Sequence, residues 1–497
     1  MKYDILYLHQ TKSANYKMFG ENELVRDLKM DILFDAMADG DAYLRSLCKK
    51  ILLSPSQNLA EINMRQEILK EAIRLKQFFT EVYKLSTQLQ EKTNASRESL
   101  HPRYDKVIPV TQKVSIHNEI TDIYITYLEL LCKLIMNEMN TISSPILLEF
   151  CSEVISIYTT DFFNYARKMM MNLSFLKSNP KLEIGGHIGS GLKLTDIILH
   201  TVSNDDNLLE KKKNKLKADA VIPLDNTVLN NNAQEITNSA LIWILKTLSN
   251  FNDESYAFFE RLREMFGFYV ASLNLYQILI NKCCICFPKF AQKDGCSFNN
   301  LKDSCLILKN GTDVVGNSIV NNTKKSWIIT GFNQGGKTTF LRSIGLAQLM
   351  AQSGMFITAD SLECNIYNGI YSHFPNEEDH MLEKGLLGQE LYSLSELVKH
   401  MKPGCLLLMN ETFSTTTEFD ASYLAEQITT AFCKCHITTV FVTHLYEYAH
   451  KIYLSHFDNF LFLRTKIMPD GSRSYKIEKG EPLRSNYSIN LYHQIIN

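Results

Sequence analysis

Residues 326–340 read SWIITGFNQGGKTTF, and this stretch decides the fold of the second half of the chain. The apolar run SWIIT is typical of a buried strand, and the residues from 338 onward have helical periodicity. Between them, Gly331, Gly336, Lys337 and Thr338 fit the pattern G-x-x-x-x-G-K-[ST]. Strand, loop and helix in this order predict a phosphate-binding P-loop. The alternative is an ordinary strand-turn-helix unit that binds nothing.

The residue types of this loop suit a nucleoside triphosphate. Glycines let the backbone curl so that its N–H groups, together with the N-terminus of the following helix, face phosphate oxygens. Lys337 is predicted to reach the β- and γ-phosphates, and Thr338 to ligate Mg²⁺. We therefore expect ATP and Mg²⁺ as ligands. The residues expected to bind the nucleotide are Gly331, Phe332, Asn333, Gln334, Gly335, Gly336, Lys337, Thr338 and Thr339.

Two more apolar runs end in polar residues that suit the same chemistry. CLLLMNE (405–411) ends in Asn410 and Glu411, and TTVFVT (438–443) is followed by His444. Asn410 is predicted to share the Mg²⁺ with Thr338. A carboxylate at a strand tip can orient a water for in-line attack, so Glu411 is the predicted general base. His444 is predicted to contact the γ-phosphate, the alternative being a packing histidine. The predicted catalytic set is Glu411, His444 and Lys337.

The chain divides by pattern into a helical part and an α/β part. Short apolar runs alternate with helical segments at 338–353 and 421–434, which predicts an α/β domain over residues 287–497. Residues 25–286 have helical periodicity with little Gly or Pro, which predicts a long-helix core domain after an N-terminal segment, 1–24. Two apolar stripes at helical spacing are each predicted to line one helix face in the core: Ile68, Ala72, Leu75, Phe79 and Val82, and Phe258, Leu262, Phe266, Tyr269, Leu273, Tyr276 and Ile280.

An insertion at about 181–235 interrupts the helical pattern. It contains EIGGHIGSG, an Asn-rich stretch and a run of lysines. The run comprises Lys211, Lys212, Lys213, Lys215 and Lys217. Such a run is either a solvated surface or a contact with a phosphate backbone, and the sequence leaves both open.

Composition excludes several classes of protein. The chain has 497 residues, with 52 Lys and Arg against 54 Asp and Glu, a formal charge of −2. This balance removes any global electrostatic argument for nucleic acid, so that a DNA-binding surface has to be a local patch. No apolar stretch reaches the ~18 residues of a membrane span, and the first residues lack the features of a signal peptide. The 12 cysteines do not have the spacing of a secreted disulfide framework. We expect a cytoplasmic protein without membrane contact.

The motifs together resemble the ATPase domain of the MutS mismatch-repair family. The resemblance is carried by IITGFNQGGKTTFLRSIGLAQLMAQSGMF (328–356), LLLMNETFSTTTEFDA (406–421) and VFVTHLYEYAH (440–450). It extends to SNYSINL (485–491), and upstream to LLSPSQNLAEINMRQEILK (52–70) at the entry of the family's helical core.

The resemblance implies a multidomain protein in which a long-helix core and lever domain precedes a P-loop ATPase domain of ABC type. It implies binding to DNA, a homodimer as the active form, and a reduced DNA clamp at the 181–235 insertion. In the family the strand before the catalytic acid ends Asp-Glu, where this chain has Asn410-Glu411. The family also has a signature-loop Ser where EKGLLGQELYS has Gly385. It has C-terminal helices after the SNYSINL segment, and because this chain ends within about ten residues of that segment, we expect those helices to be absent or truncated.

The family reads mismatches with a Phe-x-Glu wedge on a separate N-terminal domain of roughly one hundred residues. Because the helical core is predicted to begin at about residue 25, we expect no such domain here. Phe-x-Glu occurs at 19–21, 79–81 and 258–260, and so short a pattern is expected by chance in a chain of this length. Without a wedge, the protein is expected to bind DNA through contacts to the DNA backbone and through DNA shape. Branched or deformed DNA is therefore the expected partner rather than DNA with a single mismatch.

The sequence thus predicts an ATPase in which ATP binding and hydrolysis open and close a dimeric clamp on DNA, in repair or recombination. Two alternatives differ in class. A nucleotide-gated DNA-binding or scaffold protein would hydrolyse little ATP, which Asn410 favours. A P-loop ATPase of the chromosome-organising type would need sustained heptads, and residues 25–285 do not contain them.

Replacing the five lysines between Lys211 and Lys217 with glutamine is expected to flatten the salt dependence of DNA binding. Each phosphate that a lysine neutralises contributes about 0.9 to the slope of log K against log salt. The measurement is duplex affinity across a salt series, with the wild type as reference. An unchanged slope would show that the run is a solvated surface.

Overall fold

The structure is a computed structural model, and it describes residues 4–8, 19–100, 108–174, 181–188, 194–203, 227–291, 295–375, 386–468 and 473–484. Within these residues the chain forms two compact units. One is made by residues 75–267, and the other by residues 4–74 and those from 268 onward. None of the described helices is both long enough and apolar enough to cross a bilayer.

Helices predominate before residue 280, and most of the strands follow it. The helices are α1 Glu21–Leu28, α2 Met30–Ala38, α3 Ala42–Leu52, α4 Leu59–Arg74, α5 Lys76–Glu98, α6 Val110–Glu138, α7 Pro145–Ile157, α8 Thr160–Ser174, α9 Thr227–Leu279, α10 Ser304–Asn310, α11 Lys337–Gln352, α12 Leu386–His400, α13 Glu418–Lys434 and α14 Tyr446–Leu454. The strands are β1 Lys181–Ile188, β2 Leu194–Ser203, β3 Lys289–Phe290, β4 Cys296–Leu301, β5 Asn317–Asn322, β6 Ser326–Thr330, β7 Ser361–Cys364, β8 Ile370–His373, β9 Leu406–Asn410, β10 Thr438–Val442, β11 Phe460–Ile467 and β12 Arg473–Lys479.

The first unit is helical, with a buried aromatic centre. Phe79 of α5 and Phe150 of α7 both pack on Phe266 of α9, with ring centroids 5.1 and 6.1 Å apart, and all three side chains are fully buried. Aromatic side chains of this size contribute most of the apolar area that such a core removes from water. Strands β1 and β2 pair antiparallel in the predicted insertion, and α9 already begins at residue 227, inside the predicted limits of 181–235.

The second unit contains a six-stranded sheet in the order β12-β11-β6-β10-β9-β8. Strands β8, β9, β10, β6 and β11 run parallel, and β12 pairs antiparallel with β11. The strands predicted at 326–330, 405–409 and 438–443 are present as β6, β9 and β10, and the helices predicted at 338–353 and 421–434 as α11 and α13. The prediction of a helical region combined with an α/β sheet is confirmed.

Helices cover both faces of this sheet. Leu407 and Met409 of β9 belong to an apolar cluster with residues of α13 and α14. Leu408, which points the other way, lies against α11, where Gly345 leaves room: a Cβ there would be 2.5 Å from Leu408 Cδ1. A strand buried on both faces needs apolar residues at every position, which explains the unbroken run CLLLM.

Helices α1 to α4 belong to the same compact unit as the sheets. Arg342 of α11 donates from Nε to the carbonyl of Asp27 in α1, at 2.7 Å, and the Asp27 carboxylate accepts from Ser372 Oγ of β8, at 2.8 Å. The first helix is therefore bonded both to α11 and to β8 at the edge of the sheet. The domain limits at 1–24, 25–286 and 287–497 stay a prediction.

Two details of the predicted stripes were wrong. The stripe from Ile68 to Val82 is not one helix, because Leu75 leaves the helical conformation (φ −106°, ψ 41°) and separates α4 from α5. No Gly or Pro marks this break, so the local sequence does not encode it. Ile280 lies beyond the last residue of α9 and is 44% exposed, so it does not extend the buried stripe.

A second sheet of four strands, in the order β3-β7-β4-β5, was not predicted. Strand β4 pairs antiparallel with both β5 and β7, with register irregularities in its pairing with β5. Short strands with irregular register have no clean period-2 pattern, which is why the sequence does not reveal them.

Candidate nucleotide-binding site

The predicted P-loop joins the end of β6 to the start of α11. Gly331 (φ 123°) and Gly336 (φ 92°) have backbone conformations that side chains disfavour, and Gly336 is the residue that precedes the first turn of α11. The first N–H groups of this 16-residue helix have no partner within the helix. The loop therefore presents backbone donors and the positive end of a helix dipole at one place, as anion binding requires.

The neighbouring strand β11 shapes the same loop. Thr465 Oγ1 accepts from the backbone N–H of Phe332 at 3.2 Å. A Cβ at Gly331 would lie 2.1 Å from Thr465 Oγ1, and a Cβ at Gly335 2.8 Å from Thr465 Cγ2. These glycines are thus required by the packing of Thr465 as well as by phosphate approach. Sequence reasoning missed Thr465, because no local signal links it to a loop more than a hundred residues away.

Lys337 is buried at the start of α11, with 4% of its surface exposed. Its Nζ donates to the carbonyls of Gly331 and Phe332, at 2.8 and 2.9 Å. Burial lowers the pKa of Lys337 to about 8, and the nearby Glu411 carboxylate opposes that shift. Backbone oxygens of the loop therefore hold the ammonium at the place where the sequence predicts a bound phosphate.

The two predicted magnesium ligands lie together. Thr338 Oγ1 donates to Asn410 Oδ1 at 3.0 Å, across the gap between α11 and the end of β9. Both groups supply the oxygen ligands that Mg²⁺ prefers, and Mg²⁺ commonly takes one or two protein ligands and completes its shell with water and phosphate. The donor set fits the ion, although Asn410 supplies a neutral oxygen.

Glu411 and His444 form a pair at the ends of β9 and β10. His444 Nε2 is 2.9 Å from Glu411 Oε1 and 3.3 Å from Lys337 Nζ. One ring nitrogen cannot donate to the carboxylate and also accept from the ammonium, and the shorter contact favours Nε2–H donating to Glu411. This hydrogen bond lowers the pKa of Glu411 despite its partial burial, so the carboxylate is ionised at neutral pH.

A cavity of about 460 Å³ opens beside these residues. One wall is the run from Asn333 to Phe340 together with Glu411, and the other includes Asp303, Asn310 and Tyr475. Its size is within the range of small-molecule sites. The predicted residues from Asn333 to Thr339 and Glu411 thus line one space, and Asn410 and His444 contact residues of its wall. Their role in nucleotide binding stays a prediction.

Other predicted features lie elsewhere. Phe19 stacks on His400, with ring centroids 4.1 Å apart and planes at 16°. Phe258, the Phe of the Phe-x-Glu at 258–260, packs against Tyr158, with ring centroids 6.0 Å apart. Gly385, the Lys211–Lys217 run and the 485–491 segment lie outside the described residues.

Comparison with known families agrees with the motifs. Residues 327–493 match the model of MutS domain V, and residues 57–282 match the model of the MutS2 N-terminal domain. The resemblance to the MutS family is confirmed.

Curated relatives are similar over parts of the chain. The DNA mismatch repair protein MutS of Lactobacillus delbrueckii subsp. bulgaricus (strain ATCC BAA-365 / Lb-18) is 26% identical over 220 residues, which cover 41% of this chain and 26% of the relative. The DNA mismatch repair protein MutS of Petrotoga mobilis is 33% identical over 130 residues, 26% of this chain and 16% of the relative. The DNA mismatch repair protein MutS of Pseudothermotoga lettingae is 30% identical over 169 residues, which cover 30% of this chain and 20% of the relative. The chain spans about a quarter or less of the length of these relatives.

Replacing Asn410 with aspartate is expected to lower the Mg²⁺ concentration that half-saturates ATP binding or turnover. The variant places a charge where the site has a neutral oxygen, beside the Thr338 hydroxyl. The measurement is a Mg²⁺ titration at fixed ATP, with Asn410→Ala as the control that removes the oxygen altogether. An unchanged or higher midpoint would show that the site is built around a neutral side chain.

Proposed function

We propose that this MutS-family chain binds and hydrolyses ATP in the P-loop cavity, and that its nucleotide state opens and closes a dimeric clamp on DNA. The observation that carries the proposal is the convergence of Lys337, Thr338, Asn410, Glu411 and His444 at one edge of a parallel sheet, beside a cavity. Such an edge is where open α/β sheets bind their ligands.

ATP binding uses the backbone as much as the side chains. The loop N–H groups and the start of α11 face the phosphates, and Lys337 exchanges its carbonyl partners Gly331 and Phe332 for phosphate oxygens. Charged acceptors form stronger hydrogen bonds than neutral carbonyls, so this exchange favours the bound state. Thr338 and Asn410 would hold Mg²⁺, which supplies charge neutralisation at the phosphates.

Hydrolysis is assigned to Glu411 and His444. Glu411 is ionised and lies at the wall of the cavity, so it can accept a proton from a water aligned with the γ-phosphate. His444 donates to Glu411 and so fixes the direction of the carboxylate. A base that is oriented before the substrate arrives needs less reorganisation in the transition state.

The alternative is a nucleotide-gated DNA-binding or scaffold protein with little hydrolysis. Asn410 favours it, because a neutral oxygen weakens the hold on a metal ion. In that case ATP acts as a conformational ligand and shifts the balance between open and closed forms without being consumed.

The DNA-related part of the proposal rests on the relatives, whose name is DNA mismatch repair protein MutS. By that similarity we propose a cytoplasmic homodimer with an ATPase domain of ABC type, acting in repair or recombination. Branched or deformed DNA is the proposed ligand, recognised through its backbone and shape.

Two variants separate binding from hydrolysis. Lys337→Ala is expected to abolish tight ATP binding, because it removes the buried cation of the loop. Glu411→Gln is expected to keep binding and to slow turnover by about a hundredfold or more, because it keeps the size and loses the basic oxygen. The measurements are equilibrium ATP binding and steady-state phosphate release, each with and without DNA. Micromolar affinity in Lys337→Ala would refute the P-loop assignment, and full turnover in Glu411→Gln would place the base elsewhere.

The protein is expected to bind a G·T duplex and its homoduplex with affinities that differ by less than about threefold, under ~0.7 kcal/mol in binding free energy. Phe19, the first residue of a Phe-x-Glu, stacks on His400 of the same unit and is not arranged as a free wedge. The measurement is a competition assay in ATP and in ADP, with a branched DNA as the positive comparison. A preference of tenfold or more that is lost in Phe19→Ala would assign the wedge to that residue.

A further inference from the structure

The loop after the predicted base has an unusual backbone. Glu411 and Phe413 both have positive φ angles, 51° and 72°, although neither is glycine. Side-chain-bearing residues in this region cost of order 1 kcal/mol or more each, and they persist where the surrounding structure fixes them. Two such residues on either side of Thr412 indicate that other groups hold the loop in place.

One of those groups is Glu390, in the second turn of α12. Its Oε1 accepts from the backbone N–H of Phe413 at 2.8 Å, and its Oε2 accepts from Thr415 Oγ1 at 3.1 Å. Glu390 is 9% exposed, and Phe413 is fully buried. Hydrogen bonds to a carboxylate are stronger than those between neutral groups, so this single side chain holds two points of the loop.

The second group is His373, the last residue of β8. Its Nδ1 lies 3.1 Å from Thr412 Oγ1, and its ring also hydrogen-bonds to the backbone of Glu390. Burial lowers the pKa of His373 to about 4, so the ring is neutral and can accept with one nitrogen while donating with the other. Strand β8, helix α12 and the loop are thus joined through adjacent hydrogen bonds.

We propose that Glu390 is a positioning residue, which holds the 411–415 loop in its strained conformation and thereby aims the Glu411 carboxylate at the attacking water. This inference rests on the proposed hydrolysis. Glu390 does not line the cavity and acts through Glu411. A displacement of the base by about 1 Å is enough to cost on the order of a hundredfold in rate.

The test compares Glu390→Ala with Glu396→Ala, a matched control on the same helix whose carboxylate pairs with Lys399. Glu390→Ala is expected to lower kcat by about tenfold or more and to leave ATP affinity unchanged, because the phosphate loop is intact. Glu390→Gln can still accept from the Phe413 N–H and is expected to stay within about threefold of wild type. Turnover in Glu390→Ala equal to that in Glu396→Ala would overturn the proposal.

A double variant distinguishes positioning from general destabilisation. In a Glu411→Gln background the base is already absent, so adding Glu390→Ala is expected to lower kcat no further. An equal loss in both backgrounds would show that Glu390 is only structural. If Glu390→Ala does not fold, Thr415→Val removes one of the two donors, leaves Glu390 in place and allows the same comparison, with an expected loss of about threefold.

Hydrogen exchange separates this proposal from the proposed function. Exchange of a peptide covering 406–416, measured without nucleotide, is expected to be at least about tenfold faster in Glu390→Ala than in Glu396→Ala. A wild-type protein without turnover refutes the proposed hydrolysis, whereas the faster exchange still supports the role of Glu390 in holding the loop. Equal exchange in the two variants refutes that role even where ATP is hydrolysed.

Discussion

The candidate site depends on the parallel pairing of three strands. Strands β6, β10 and β9 lie side by side, and parallel strands bring their carboxyl ends to the same edge of the sheet. The residues that follow each strand therefore meet, even though Gly331, Glu411 and His444 are far apart in the chain. The register fixes which residues meet: Val442 of β10 is opposite both Ile329 of β6 and Asn410 of β9. A shift of one residue would turn each of these side chains to the other face.

The geometry at that edge is maintained by residues with no predicted chemistry. Thr465 occupies the space that Gly331 and Gly335 leave open, and Glu390 accepts hydrogen bonds from Phe413 and Thr415 in the loop after Glu411. Both are anchored in regular elements, β11 and α12, which hold a side chain more accurately than a loop does. The loops that carry the predicted chemistry are thus supported from two sides by rigid parts of the sheet and its helices.

The sequence predicts the parts of this arrangement that have a local signal. The runs SWIIT, CLLLM and TTVFVT are apolar because their strands are buried on both faces, and the residues that follow them have recognisable chemistry. Thr465 and His373 could not be predicted, because each acts through a contact with a distant segment and neither belongs to a motif. Glu390 lies in the stretch EKGLLGQELYS, but no local signal there links it to the loop after Glu411. The break at Leu75 was missed for the same reason, since tertiary packing and not residue type decides it.

A neutral Asn410 in place of an aspartate reduces the negative charge near the Lys337 ammonium. Lys337 is buried with the single carboxylate of Glu411 close by, and burial has the larger effect on its pKa, which is lowered to about 8. An aspartate at position 410 would add a second negative charge beside Thr338 and would raise this pKa. At pH 7 a lysine with a pKa of about 8 is still about nine-tenths protonated, so the ammonium is available without that second carboxylate. In the proposed complex with ATP, phosphate would supply the missing negative charge and would raise the pKa of Lys337, so that binding above pH 8 would require the uptake of a proton. Under the proposed function, a neutral residue at position 410 would therefore weaken the binding of Mg²⁺ more than the binding of the nucleotide's phosphates.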